Sequence, residues 1–125
     1  MDVRIMVSRK SDSWYVDPAA HSYFQELLKA GIKIYTYTSR FVHAKTLVAD
    51  DYLSVIGSAN MDFRSLEHHF EINCYLYDEL LAEKNKQIFF DDLKNCEEIT
   101  LEKREKRSKG KQYIESFMRL FAPLM

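Results

Sequence analysis

The first third of the chain changes from strand-like to helical to strand-like spacing of its hydrophobic positions. Residues 3–7 form a short strand-like run that predicts a buried strand. Asp17 followed by Pro18 is typical of a helix start, and Gly31 of a helix stop. Apolar residues repeat at helical spacing between them, at Ala20, Phe24, Leu27 and Leu28. Residues 32–37 alternate and predict a second strand, and a strand–helix–strand succession favours a parallel strand pair.

The middle of the chain predicts three further strands. Residues 41–49, 53–56 and 68–77 are rich in β-branched and aromatic residues. Asp50 and Asp51 predict a turn after the first of these strands, so that residues 53–56 return beside it. Alternate positions of the last strand predict two faces, one with Phe70, Ile72, Cys74 and Leu76, the other with His69, Glu71, Asn73 and Tyr75.

The last third predicts two helices separated by a charged segment. The first helix begins after Asp78, with Leu81, Ile88 and Phe89 on its core side. The charged run 102–111 indicates a solvated helix end and loop, with a basic strip near anionic lipid headgroups as the alternative. The final helix has an apolar stripe typical of a core, or alternatively of a membrane-surface helix, at Ile114, Phe117, Met118 and Phe121. These elements predict an α/β fold, a mixed sheet with helices on both faces.

Composition narrows the class of protein. A chain of 125 residues that is 46% hydrophobic suits one domain with a real core. A net charge of −1 argues against a generally basic nucleic-acid binder, although not against a local positive pocket. With no signal peptide and no apolar run of roughly 18 residues, the polypeptide taken alone is predicted to be soluble. Cys74 and Cys96 lack metal-ligand spacing and predict reduced thiols.

His43 and Lys45 are the first candidates for chemistry. Residues two apart on a strand point the same way, so an imidazole and an ammonium are expected side by side. Such a pair can hold an anion while the imidazole attacks it or transfers a proton. Lys45, Ser58 and Asn60 are the candidate ligands of phosphate oxygens, and backbone N–H groups after Gly57 add donors.

Glu71 and Asp50 are candidates for supporting roles. A carboxylate on an otherwise apolar strand must pair with something, and Glu71 can hold an imidazole in one tautomer. The alternative is an exposed carboxylate on an edge strand. Asp50 lies at a strand-to-turn junction, where a structural role is at least as likely as chemistry. No residue cluster predicts a metal site, and no cofactor is expected.

Residues 43–60 follow the pattern His-x-Lys-x4-Asp-x6-Gly-Ser-x-Asn, which is the signature of the phospholipase D superfamily. The flanking residues 59–65, 70–73 and 116–124 make nearly the whole chain similar to the C-terminal half of bacterial cardiolipin synthases. The resemblance implies that residues 1–125 are one phospholipase D-like domain with a single motif. It also implies a C-terminal fragment, without the membrane segments and first motif of the full-length family members.

The resemblance further implies a phosphatidyltransferase that condenses two phosphatidylglycerol molecules to cardiolipin and glycerol through a phosphohistidine intermediate. His43, Lys45 and Glu71 would be its catalytic residues, with Glu71 orienting the imidazole. In two-motif relatives the second-half histidine is usually the acid and base, but the sequence itself does not separate that role from the nucleophile. The site would need the missing N-terminal half or a homodimer partner, and the full-length protein would reside in the bacterial inner membrane.

Two other functions fit the motif less well. A homodimeric phosphodiesterase or nuclease with a single motif is the first alternative. The near-neutral charge and the cardiolipin-synthase-like flanks argue against it, and no nucleic acid partner is expected. A non-enzymatic half-domain is the second alternative, but a scaffold would have no need of His43, Lys45, Asn60 and Glu71 together.

Overall fold

The computed structural model describes residues 1–9, 16–39, 41–62, 64–106 and 108–120. These residues contain strands, helices and one π-helical turn at Arg64–His68. The strands are β1 (Arg4–Ser8), β2 (Lys33–Tyr37), β3 (Lys45–Ala49), β4 (Leu53–Gly57), β5 (Asn73–Tyr77) and β6 (Cys96–Ile99). The helices are α1 (Val16–Lys29), α2 (Glu79–Leu93), α3 (Leu101–Glu105) and α4 (Lys109–Arg119). The predicted α/β class is confirmed.

The described strands form two three-stranded sheets. In the first, β2 lies between β1, which is parallel to it, and β6, which is antiparallel. The parallel pairing of β1 with β2 confirms the predicted crossover through α1. In the second sheet β4 lies antiparallel between β3 and β5. The chain divides into two compact units, the first of residues 1–42 and 95–125, the second of residues 43–94.

The core of the first unit lies where α1 packs against β2 and α4. Phe24 and Ile34 are buried there, as the predicted helix and strand require. An ion pair joins the neighbouring helices: Arg104 Nη2 lies 2.8 Å from Glu115 Oε2, with side chains only 11% and 8% exposed. The guanidinium also stacks 5.6 Å from the centre of the Phe24 ring. The charged run is therefore not wholly solvated, because Arg104 is part of this core.

The predicted apolar stripe of α4 is corrected at two positions. Ile114 and Phe117 are exposed, whereas Glu115 is buried. Glu115 faces inward because its carboxylate pairs with Arg104, and this pairing turns the predicted stripe outward. Phe121 lies outside the described residues.

In the second unit α2 packs against β3 and β4. The helix begins as predicted at Asp78, whose side chain accepts a 2.7 Å hydrogen bond from the N–H of Leu81. Ala82 and Ser54 are fully buried, and Asn85 Nδ2 donates to Ser54 Oγ at 3.1 Å. The face of α2 that packs against the sheet therefore includes this polar contact. Ile88, which was predicted on the core side of the helix, is exposed.

Two predicted strands are shorter than expected. Residues 41–44 precede β3, and residues 68–72 precede β5, so the strand predictions were wrong for these segments. Residues 64–68 form the π-helical turn instead, which moves the start of β5 to Asn73. Phe70 and Ile72 are consequently exposed and do not line the predicted apolar face.

Candidate active site

His43 lies just before β3, and Lys45 is the first residue of that strand. Lys45 Nζ donates a 2.9 Å hydrogen bond to the carbonyl oxygen of His43. The ammonium therefore lies beside the main chain of the histidine, which is itself exposed. The sequence analysis predicted an imidazole and an ammonium side by side on one strand. His43 lies outside the strand, and the contact of the ammonium is with the main chain of His43, so the pairing with the imidazole stays a prediction.

The backbone before His43 is fixed by a side chain of the first unit. Ser8 Oγ, at the end of β1, donates to the carbonyl oxygen of Val42 at 3.0 Å. The Ser8 hydroxyl oxygen also accepts a 2.8 Å hydrogen bond from the Val42 N–H. One serine thus satisfies both main-chain groups of the residue that precedes the candidate histidine.

Gly57, the last residue of β4, permits a close approach of two strands. It pairs with Asn73 of β5, and a Cβ at this position would lie 2.0 Å from Asn73 Oδ1 and 2.5 Å from the carbonyl oxygen of Ile72. No side chain fits in this space. The motif glycine therefore serves contact between the strands at the point where the polar loop begins.

Ser58 follows directly and ties this loop to the residues before β5. Its N–H donates to the carbonyl oxygen of Ile72 at 3.0 Å, and its Oγ accepts from the Ile72 N–H at 3.0 Å. The Ser58 hydroxyl donates to the carboxylate of Glu71. Ser58 was predicted as a phosphate ligand, and that role stays a prediction. In this structure its hydroxyl orders Glu71.

Glu71 is half-buried, and its carboxylate accepts a hydrogen bond from the Ser58 hydroxyl. The hydroxyls of Ser58 and Ser65 lower the pKa of Glu71 below its ordinary value, and desolvation opposes them. The positive fields of His69 and Lys45 lower the pKa further. Glu71 is therefore ionised at neutral pH, as a residue that orients an imidazole must be. Whether it holds His43 stays a prediction.

Ser65 is the residue that the sequence analysis missed. It lies in the π-helical turn, it is only 7% exposed, and its N–H donates to Asp62 Oδ1 at 2.7 Å. The spacing Asp-x-x-Ser is typical of a capped turn, and this was the available signal.

Asn60 and Asp50 lie apart from these contacts. Asn60 is exposed in the loop after Ser58, where a phosphate role stays a prediction. Asp50 has φ 50° and Asp51 φ 55°, and the Tyr52 N–H donates to the carbonyl oxygen of Ala49 at 3.2 Å. Two positive φ angles are typical of a type I′ hairpin turn, in which Asp is tolerated.

Replacing Asp50 with Asn tests whether the motif aspartate is structural. Asn adopts positive φ at least as readily as Asp, so we expect a change in unfolding free energy within about 0.5 kcal/mol. Any phosphodiester chemistry of the site should also be retained. Denaturant unfolding and an activity assay check both expectations. A marked loss of activity with unchanged stability would instead give the carboxylate a chemical role.

The charges of this arrangement suit an anionic ligand. Among the described residues, no group of three or more His, Cys, Asp or Glu is placed to hold a metal ion. Lys45 supplies a positive charge beside His43, and Glu71 supplies a fixed negative charge nearby in the same unit. A histidine imidazole that contacts both charges can transfer protons or attack phosphorus.

Comparison with known proteins identifies relatives of this chain. The family described as "Cardiolipin synthase, PLD-like domain" matches residues 1–93. The chain is 46% identical over its whole length to "Cardiolipin synthase" of Clostridium perfringens, and 48% identical to "Cardiolipin synthase 1" of Bacillus anthracis. It spans 26% and 25% of these proteins, about a quarter of each. No solved structure matches it. No helix in the described ranges has the length and apolar character to cross a membrane.

Proposed function

Because this chain belongs to the family of PLD-like domains of cardiolipin synthase, we propose that it supplies the second half of a phosphatidyltransferase active site. Residues 1–125 would form one phospholipase D-like half-domain with a single motif. Its facing half would come from another part of a longer, membrane-associated polypeptide or from a second copy of the chain. The substrate would be phosphatidylglycerol, because cardiolipin, the lipid in the names of the relatives, contains two phosphatidyl groups joined through one glycerol.

The proposed reaction has two displacements at phosphorus. A histidine nitrogen of the facing half attacks the phosphorus of one phosphatidylglycerol. The bond from phosphorus to the headgroup glycerol oxygen breaks, and a phosphohistidine forms. His43 protonates the leaving glycerol oxygen. His43 then removes the proton from a headgroup hydroxyl of the second phosphatidylglycerol, whose oxygen attacks phosphorus and releases the first histidine. The products are cardiolipin and glycerol.

Two residues of the second unit would assist His43 in this reaction. Lys45, held at 2.9 Å from the carbonyl oxygen of His43, would bind the negative oxygens of the phosphodiester. Glu71, whose pKa is lowered by the hydrogen bond from the Ser58 hydroxyl, would hold the His43 imidazole in one tautomer. The ammonium beside the exposed histidine, within a chain of this family, is the observation that carries the proposal.

A chimeric enzyme tests the proposal. This chain would replace the matching quarter of Bacillus anthracis cardiolipin synthase 1, to which it is 48% identical. The chimera, in vesicles of phosphatidylglycerol, should form cardiolipin and glycerol in equal amounts, as measured by mass spectrometry. The same enzyme with the quarter deleted is the control and should be inactive.

A folded, membrane-inserted chimera that makes no cardiolipin would contradict the proposal. Release of phosphatidic acid with no cardiolipin would indicate phospholipid hydrolysis instead. Cleavage of a nucleic-acid substrate by the 125-residue chain alone would favour the single-motif nuclease.

A further inference from the structure

We propose that the outward side of α4 is a docking surface for a bilayer of anionic phospholipids. This surface, the α4 face, consists of Tyr113, Ile114, Phe117 and Leu120. The sequence left two interpretations of the apolar stripe open, a core and a membrane surface, and the exposure of its side chains favours the second. The inference goes beyond the proposed function, because lipid binding by this face requires no catalysis.

The first observation is the orientation of α4. Tyr113, Phe117 and Leu120 share one side of the helix, at spacings of four and three residues. Ile114 adjoins Phe117, and all four side chains are between 57% and 74% exposed. Glu115 lies on the opposite side and is buried. A surface helix of a globular protein normally buries its apolar stripe, so the orientation of α4 is reversed.

The second observation is that ion pairs attach the polar side of α4 to the first unit. Glu115 pairs with Arg104 at 2.8 Å. Arg119 Nη1 lies 2.6 Å from Glu26 Oε1 on α1, and its guanidinium lies 4.5 Å from the centre of the Tyr23 ring. The polar side of the helix makes all of these contacts. The α4 face is therefore available to another surface while the helix stays in place.

The third observation is the charge of this segment, which indicates the kind of partner. Residues 101–120 contain seven lysines and arginines against three glutamates, a net charge of +4, although the whole chain has a net charge of −1. Lys106, between α3 and α4, is exposed. Anionic headgroups attract such a basic segment, while apolar side chains insert at the boundary between headgroups and acyl chains. A tyrosine such as Tyr113 suits the headgroup level.

A second copy of the chain fits the α4 face less well. Two such faces in a symmetric dimer would bring two segments of net charge +4 together, and like charges oppose that contact. Exposed apolar side chains also occur on α2, at Leu80 and Ile88. Residues 79–93, however, contain four acidic and two basic residues. α4 combines apolar exposure with positive charge, and an anionic bilayer binds that combination.

Co-sedimentation of the 125-residue chain with lipid vesicles tests the proposal. One set of vesicles contains equal parts of phosphatidylcholine and phosphatidylserine, and the other contains phosphatidylcholine alone. Phosphatidylserine is anionic but is not the proposed substrate, so its binding does not report the proposed reaction. We expect binding to the anionic vesicles, and binding weaker by about tenfold or more to the neutral vesicles or in high salt.

Two sets of substitutions assign the binding to α4. Ile114→Gln together with Phe117→Gln should weaken binding to the anionic vesicles by about tenfold or more, because two apolar side chains no longer leave water. Lys106→Gln should weaken it about fivefold, the effect of one basic residue near an anionic surface. The matched control, Leu80→Gln together with Ile88→Gln, removes two exposed apolar side chains from α2 and should leave binding unchanged. Circular dichroism checks that each variant is folded.

Four results would overturn the proposal. The first is a folded, unsubstituted chain that does not sediment with the anionic vesicles, and the second is binding that Ile114→Gln with Phe117→Gln leaves unchanged. The third is a dimer in light scattering that this double substitution dissociates, without vesicle binding, which would assign the face to a second copy. The fourth is a double substitution that lowers the unfolding temperature of the chimera but not of the 125-residue chain. In that case another part of the longer enzyme covers the α4 face.

Failure of this inference and failure of the proposed function are distinguishable. Vesicle binding that depends on the α4 face, together with an inactive chimera, would reject only the phosphatidyltransferase function. An active chimera, together with a 125-residue chain that does not bind anionic vesicles, would reject only the role of the α4 face.

Discussion

Replacing His43 with Ala should reduce cardiolipin formation by the chimera about 10³-fold, the order of magnitude that one positioned acid–base group contributes. The imidazole is the group proposed to protonate the leaving glycerol and to activate the second lipid. Lys45 donates to the main-chain carbonyl of residue 43, and alanine retains this acceptor. The local backbone should therefore persist while the chemistry is lost. The measurement is the initial rate of cardiolipin formation at saturating phosphatidylglycerol.

His68→Gln is the matched control for this substitution. His68 is an exposed histidine of the same unit, at the end of the π-helical turn, and it has no part in the proposed chemistry. The control should leave the rate unchanged, which excludes a general effect of removing a histidine. A His43→Ala chimera that forms cardiolipin at the unsubstituted rate would contradict the proposed role of His43.

Replacing Gly57 with Ala should cost about 3 kcal/mol of unfolding free energy, the upper part of the range for overpacked sites. The added methyl group would meet Asn73 Oδ1 at 2.0 Å, the carbonyl oxygen of Ile72 at 2.5 Å and Asn73 Cα at 2.8 Å. Two of these atoms belong to the backbone and cannot rotate away. The strands must therefore separate, which also pulls Ser58 from Ile72.

Denaturant unfolding measures the loss of stability from Gly57→Ala, and hydrogen exchange of the Ile72 amide measures the separation of the strands. Gly110→Ala is the control. Nothing lies within 4 Å of an added Cβ at Gly110, which is in α4, so alanine there should stabilise the chain by up to about 1 kcal/mol. Equal stability of the two variants, with the Ile72 amide still protected, would show that the sheet accommodates the methyl group.

Local spacing was sufficient to predict part of the fold. The parallel pair of β1 and β2 followed from a strand–helix–strand pattern bounded by Pro18 and Gly31. The start of α2 followed from Asp78. In these cases the sequence pattern and the structure that it predicts involve residues close together in the chain, so the pattern is sufficient for the prediction.

Other elements depend on partners distant in the sequence. β6 has only four residues, two of them glutamates, and it forms because β2 offers an unpaired edge. The exposure of Ile114 and Phe117 follows from the inward Glu115, which needs Arg104 to be tolerable. The spacing of apolar residues along a helix does not show which of its two faces will pack against another element.

The candidate site was also predictable only in part. Spacing, strand patterning and the family resemblance selected His43, Lys45, Ser58 and Glu71, and the structure places them in one unit. It also brings Ser58 to Glu71, a contact the analysis did not foresee. Ser65 was not selected, because its burial depends on the path of a π-helical turn that replaces the predicted start of a strand.

The order of the two units along the chain has a consequence for folding during synthesis on the ribosome. The second unit is one continuous segment whose strands pair with sequence neighbours, so its contacts can form as soon as residue 94 has emerged. The first sheet lacks β6 until residues 96–99 follow, and β2 exposes a bare edge during that interval. An unpaired edge invites association with other chains. We expect slow synthesis after residue 94 to favour aggregation of nascent chains through β2.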